Sequence, residues 1–250
     1  MFKIALTRPW AGFSLLNMFK SSAVPLAPRD TTRGQILETA LALLRRNGFD
    51  ATTMRDIAAG AGLSLGAAYY YFPSKEAIVG AYYEYVQEEH LARAREAFAA
   101  AGDLRARLRA AFHTKVDILQ DDRRLLGALF RYGGDPEHPL SWFGPATREH
   151  RRMSMAVFAE AIAGERWPDD IRDAAPTLLW TLHMGILLYL LYDESPRQQR
   201  TRTLIDAAVD FVIDARRVVT SPLLRPIRRR VFAVLVNAEL LAPASADKET

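Results

Sequence analysis

The sequence predicts an all-α protein with a helix-turn-helix near its N-terminus, and three observations predict it. Apolar residues recur three or four apart along most of the chain, as in Ile36, Ala40, Leu43 and Leu44. No stretch alternates with period two for long enough to make a strand. Finally, Thr53 to Phe72 reads as two short helices joined by the tight turn Gly62-Leu63-Ser64.

The elements follow in order. Thr32 to Asn47 is the first helix, and Gly48 stops it as a C-terminal cap. Thr53-Met54-Arg55-Asp56 resembles a capping box, with Asp in place of Glu, and opens a helix to about Ala61. Ser64 caps the next helix, which Phe72-Pro73 closes. Ser74 opens a long helix through Ile78, Tyr82, Tyr85 and His90 towards Ala100. Asp103 to Gln120 and Asp121 to Tyr132 are two more, followed by a loop from Gly133 to Pro145. Thr147 to Ala163, Asp169 to Asp193 and Pro196 to Val219 give three further helices. A basic, then apolar helix runs from about Ile227 to Leu241, ahead of a polar tail over residues 243–250.

Composition narrows the function classes. Half of the 250 residues are hydrophobic and a quarter are charged, as in a folded globular protein. The net charge of +4 permits a nucleic-acid or anionic-lipid partner without demanding one. The absence of cysteine excludes disulfides, thiolate metal sites and a cysteine nucleophile. Residues 1–28 read as a leader; Lys3, Arg8 and the stretch Trp10 to Phe19 copy a secretory signal, but Pro9, Ser14 and Asn17 dilute it. Ala174 to Tyr192 holds no Asp, Glu, Lys or Arg, so it approaches the ~20 residues of a membrane span. Pro176 and His183 interrupt it, and burial on several sides inside a protein accounts for it equally. The expectation is burial, with no membrane partner and a cytoplasmic location.

Catalytic and metal patterns are missing. Gly60-x-Gly62-x-x-x-Gly66 misses the dinucleotide fingerprint and follows a helix rather than a strand. There is no H-E-x-x-H or G-x-S-x-G, and the five histidines show no ligand spacing. The expectation is a protein that is not an enzyme and uses no metal or cofactor.

The informative stretch is Ser64 to Lys75. Ala58 sits where two helices cross, Gly62 supplies left-handed backbone, and Ile57, Ala61, Leu63, Ala68 and Tyr71 are expected to face inward. Phe72 is then the cap of a small bundle, which leaves Tyr69 and Tyr70 outside. A tyrosine offers a flat apolar body and one hydroxyl, suited to a phosphate oxygen, a base edge or a thymine methyl. Ser64, Gly66 and Ala67 keep the leading end of the helix small enough to enter a groove closely. Ser74 and Lys75 open a helix whose free N–H groups suit a phosphate. Charge adds little, because the six cations between Arg29 and Gly80 face five acids. Salt-driven, non-specific affinity for DNA is therefore expected to be modest.

Over about fifty residues in order, the run from Arg33 to Ala81 resembles the N-terminal domain of the TetR family of transcriptional regulators. The resemblance is carried by Ile36-Leu37-x-x-Ala40, Gly48-Phe49, Thr52-Thr53, Asp56-Ile57-Ala58, Ala61-Gly62, Ser64, Tyr69, Phe72 and Ser74-Lys75-Glu76. It implies a three-helix DNA-binding domain, here 29–80, and a larger helical effector-binding and dimerisation domain, here 81–242. It also implies that Thr53, Tyr69 and Lys75 touch phosphate, and that Leu65, Gly66 and Tyr70 lie near base edges. With Arg55, Ser64 and Ala67 these form the expected DNA-contacting set. Leu65 stands where a polar or basic residue is frequent, so a methyl contact replaces a polar one there; Ala68 stands for a common leucine.

The second half resembles no pattern specific to one ligand. The apolar helix around Leu178 to Leu191 has more apolar surface than one interface covers. The next helix carries Leu204, Ala208, Phe211, Ala215 and Val218 on one stripe. Together they predict a symmetric four-helix interface of a homodimer, which would present two reading helices to a palindromic duplex DNA operator. Candidates for a small, lipophilic effector site are Phe112, His113, Val116, Phe130, Trp142, Phe143, Met153, Val157, Trp180, His183 and Met184. Arg216, Arg217, Arg225, Arg228, Arg229 and Arg230 make a basic patch, open to reading as a solvated face, a second DNA contact or a membrane-surface element.

Overall fold

The computed structural model describes residues 31–237, and within them every regular element is a helix. They are α1 (Thr32–Asn47), α2 (Met54–Gly60), α3 (Leu65–Tyr71), α4 (Lys75–Ala100) and α5 (Leu104–Leu119). There follow α6 (Arg123–Gly133), α7 (Arg148–Ala161), α8 (Asp169–Tyr192), α9 (Gln199–Val219) and α10 (Arg225–Asn237). The expected leader, the polar tail and the end of the last helix at Leu241 lie outside the described residues.

Local chemistry sets the boundaries at the N-terminal end. Thr31 accepts from Gly34 N, Ser64 from Ala67 N, Ser74 from Ala77 N and Asp103 from Ala106 N, so four helices start on a side-chain cap. The capping box of α2 is reciprocal: Asp56 N donates to Thr53 Oγ1 at 3.2 Å and Thr53 N donates to Asp56 Oδ2 at 2.8 Å. The Thr53 hydrogen bonds hold the Asp56 carboxyl below its ordinary range. Gly62 has φ +69°, where a side chain would be strained. Gly60, first glycine of the near-miss dinucleotide pattern, has a packing role: a Cβ there would meet Thr39 Cγ2 of α1 at 2.8 Å.

Helices α1, α2 and α3 close around Ile36, Leu37, Ala40, Ile57, Ala58, Ala68 and Phe72, all buried. Helix α1 also rests on α4 and α6, while α4 runs along α5 and α7, and α7 along α8. One continuous apolar core extends from Ile36 through Leu108, Phe112 and Phe158 to Val209. One expectation needs correction. Tyr71 is exposed, edge-on to the Tyr70 ring at 5.2 Å, because Ala68 already fills the inward turn of α3. The expected helix from Asp169 to Asp193 forms as α8, which continues through Pro176 to Tyr192.

The loop between α6 and α7 is tied down. The Trp142 indole lies against Gly133, where a Cβ would come within 2.0 Å of Nε1, and Trp142 N donates to Gly133 O at 3.0 Å. Leu140, Ser141 and Thr147 are buried beneath it. At the far end, burial raises the Asp193 carboxyl, but hydrogen bonds from Ser195 and Thr201 outweigh this and hold it well below the usual range. That knot joins α8 to α9 through Arg197 and Gln198, both at positive φ.

Candidate DNA-reading helix and effector cavity

Helix α3 is short, starts on small residues and ends on rings. Gly66 has nothing within 4 Å of where a Cβ would stand. Tyr70 is 83% exposed and Tyr69 48%, while Phe72, two residues on, is 2% exposed with the Arg33 guanidinium 4.8 Å from its ring centre. Thr53, Arg55, Ser64 and Gly66 are exposed; Leu65 and Ala67 are half-buried. Lys75 departs from a free phosphate contact: its Nζ donates to Phe49 O at 2.6 Å and lies over the Phe49 ring at 4.4 Å.

The second site is a cavity walled by α4, α5, α6, α7, α8 and the loop carrying Trp142. Of the residues expected there, Phe130, Trp142, Trp180, His183 and Met184 line it. Phe112, Val116 and Val157 do not; they are buried on the faces by which α5 and α7 pack into the core. His113 turns to α9, where its Nε2 meets Asp206 Oδ1 at 3.1 Å. Phe143 is 69% exposed, edge-on to Trp180, and half-buried Met153 is outside the wall.

Sequence reasoning missed the polar part of the wall. Lys115, 2% exposed, lies on the same stripe of α5 as Leu108, Phe112 and Leu119. Its Nζ donates to Gln87 Oε1 of α4 at 2.8 Å, and among the described residues no carboxylate pairs with it. Burial pushes its ammonium down to about 7. His183, 1% exposed, has no hydrogen-bond partner on either ring nitrogen. It stacks on His90 with ring centres 6.0 Å apart, and burial first, then Lys115, drives it well below the usual histidine range. A charged residue inside an apolar stripe was the available signal.

Asp122 links this wall to α1. Its carboxylate accepts from the Tyr82 hydroxyl and from Arg45 of α1, whose second nitrogen reaches Oδ2 at 3.0 Å. A second tie runs from α6 to the loop after α1, where Arg131 and Tyr132 both donate to Asp50. The Tyr132 ring lies 5.0 Å from Phe49.

Comparisons with known proteins agree with this geometry. A family model described as bacterial regulatory proteins, tetR family, matches residues 36–82. A second, described as a tetracyclin repressor-like C-terminal domain, matches 107–228. The HTH-type transcriptional repressor KstR2 of Mycobacterium tuberculosis is 29% identical over 143 residues, covering 53% of this chain and 68% of the relative. KstR2 of Rhodococcus jostii is 29% identical over 160 residues, covering 58% and 74%. The fold is shared with the fatty acid degradation regulator FadR from Bacillus halodurans, at a TM-score of 0.58 and 14% identity over 71% of this chain and 94% of that one. It is shared too with a tetR-family regulator from Streptomyces coelicolor, at 0.57 and 22%, over 84% and 96%. With both halves matched in order, the chain belongs to the TetR family of transcriptional regulators, and is a regulator rather than an enzyme.

Proposed function

We propose that the protein is a cytoplasmic, homodimeric repressor that binds a palindromic operator and is released by a small lipophilic effector in the cavity. The carrying observation is the exposure of Tyr69 and Tyr70 on a capped helix whose first residues are small. In this reading, residues 29–80 form the DNA-binding unit and 81–242 the effector-binding and dimerisation unit. Thr53, Arg55 and Tyr69 hold phosphates; Leu65, Gly66 and Tyr70 meet base edges; Ser64 and Ala67 allow close approach. Lys75 would exchange its Phe49 contacts for a phosphate on binding. KstR2, the relative named as a repressor, supports the sign of regulation.

Dimerisation has its own support. Leu178, Leu188, Tyr189 and Tyr192 of α8 and Leu204, Phe211 and Val218 of α9 are large apolar residues left exposed on consecutive helices. A surface of that kind is costly in water and fits a two-fold copy of itself. Twofold symmetry would place two α3 helices ~34 Å apart, one turn of duplex. The effector acts through unequal affinity for DNA-competent and incompetent arrangements, with a coupling of ~1–3 kcal/mol. Asp122 is the natural relay, since it belongs to the cavity wall and holds Arg45 of α1.

A second reading has one observation in its favour: Ile171–Tyr192 is long and apolar enough to cross a membrane, and less than half of its most apolar window is buried. The dimer accounts for the same uncovered face. Gel shifts with duplex DNA from upstream of the chain's own gene, and sedimentation at micromolar concentration, test the proposal. The expected result is a dimer with one retarded, sequence-selective complex. A stable monomer, or recovery only in detergent-solubilised membranes, overturns it.

A further inference from the structure

The buried lysine of the cavity has no counter-ion among the described residues. Among charged side chains in the wall, Asp122 spends its carboxylate on Arg45 and Tyr82. Arg151 donates to Trp142 O and faces the exposed Phe143 ring. Of the two cations in the wall, Lys115 is the fully buried one; it has one neutral partner, Gln87, and shares the wall with His183, whose two ring nitrogens are unpartnered. Buried polar atoms are ordinarily satisfied, and buried cations ordinarily paired, so both groups point to a missing acceptor. The rest of the wall is apolar, with Leu119, Leu126, Leu129 and Trp180 in it.

We propose that the cavity takes a lipophilic carboxylate, its single negative charge against Lys115 Nζ and His183 and its chain against the leucine and tryptophan wall. A carboxylate fits because its two oxygens answer the two buried groups left short of acceptors, the Lys115 ammonium and one His183 N–H. Neutral His183 donates one N–H to the second carboxylate oxygen, and the bound anion restores the full charge of the lysine. The inference rests on the cavity being the effector site and specifies the effector's head group.

The test compares three twelve-carbon probes, dodecanoate, dodecanol and dodecylamine, titrated calorimetrically into the full chain at pH 7 below their aggregation limits. Dodecanoate is expected to bind at least about tenfold more tightly than the other two. In Lys115→Met the ratio of dodecanoate to dodecanol affinity should fall to near one. The wild-type comparison stands even if that variant folds poorly. Equal affinities, a preference for the amine, or no binding of any probe overturns the proposal. Carboxylate-selective binding that leaves DNA affinity unchanged would keep this inference and remove the effector reading. Release of DNA by an uncharged compound bound as well as its acid would do the reverse.

Discussion

Helix α3 and the cavity depart from the usual partition of apolar and polar groups in opposite directions. On α3 three tyrosine rings face outward from a helix of seven residues. In the cavity a lysine and a histidine are taken out of water with too few partners. Each departure costs the isolated protein free energy that a partner can return: a duplex groove for the rings, a buried acceptor for the ammonium. The difference lies in reversibility. The rings simply stay exposed in the unbound protein, whereas the lysine can discard its charge, so its state depends on pH and on what occupies the cavity.

The comparison breaks first at Phe72, the inward neighbour of the exposed rings. Phe72→Ala removes a side chain that closes the α1–α3 core and should lower unfolding free energy by about 3–5 kcal/mol in chemical denaturation. A loss below ~1 kcal/mol would mean that the small bundle does not depend on it, and that the contrast with Tyr70 is not one of inside against outside.

A smaller and pH-dependent effect belongs to Lys115. Its folded pKa near 7 lies below the ordinary value of 10.5, so between those limits the unfolded chain binds more protons and stability rises with pH. From pH 7 to 9 the climb should be about 2 kcal/mol in unliganded protein. Lys115→Met, close in volume and apolar, should raise stability at pH 7 and abolish the climb, as read by denaturation at several pH values. The other titrating groups act in separate windows. Burial depresses His90 and His183, so their contribution is lost as pH falls below the ordinary histidine range. Burial raises Tyr82 and Tyr83, which oppose stability only above about pH 10. A flat profile between pH 7 and 9 would show the ammonium to be solvated or paired, which removes the cavity's half of the contrast.

What could be read from the sequence follows the same division. Caps at Thr53, Ser64 and Ser74, the turn at Gly62 and the core positions Ala58 and Ala68 are local, since each is dictated by residues three or four away. The cavity is assembled from five helices and a loop, so residue type pointed to Trp180, His183 and Met184 without saying which side of the wall they take. Phe112, one turn from Lys115, was chosen because it is apolar; the lysine was passed over because lysines ordinarily reach water. Tyr71 went wrong by the same kind of reasoning, since period alone cannot tell that Ala68 leaves no room for a second inward residue on so short a helix. Gly133 and Trp142 are nine positions apart, and no local rule pairs them.

The smallest stability effect is the sharpest test of the reading face. Tyr70 makes one ring contact, edge-on to Tyr71, and is otherwise exposed. Tyr70→Ala should therefore change unfolding free energy by no more than about 0.5 kcal/mol, while operator affinity falls by about 1–3 kcal/mol. The two measurements have to separate. A ring that packs within the protein would lose stability and DNA affinity together, because the second loss would follow from the first. A ring held out for the groove loses only the second, with the dimer intact by sedimentation. Unchanged operator affinity would take Tyr70 off the reading face and leave Tyr69, less exposed and one position earlier on the helix, as the ring to test next.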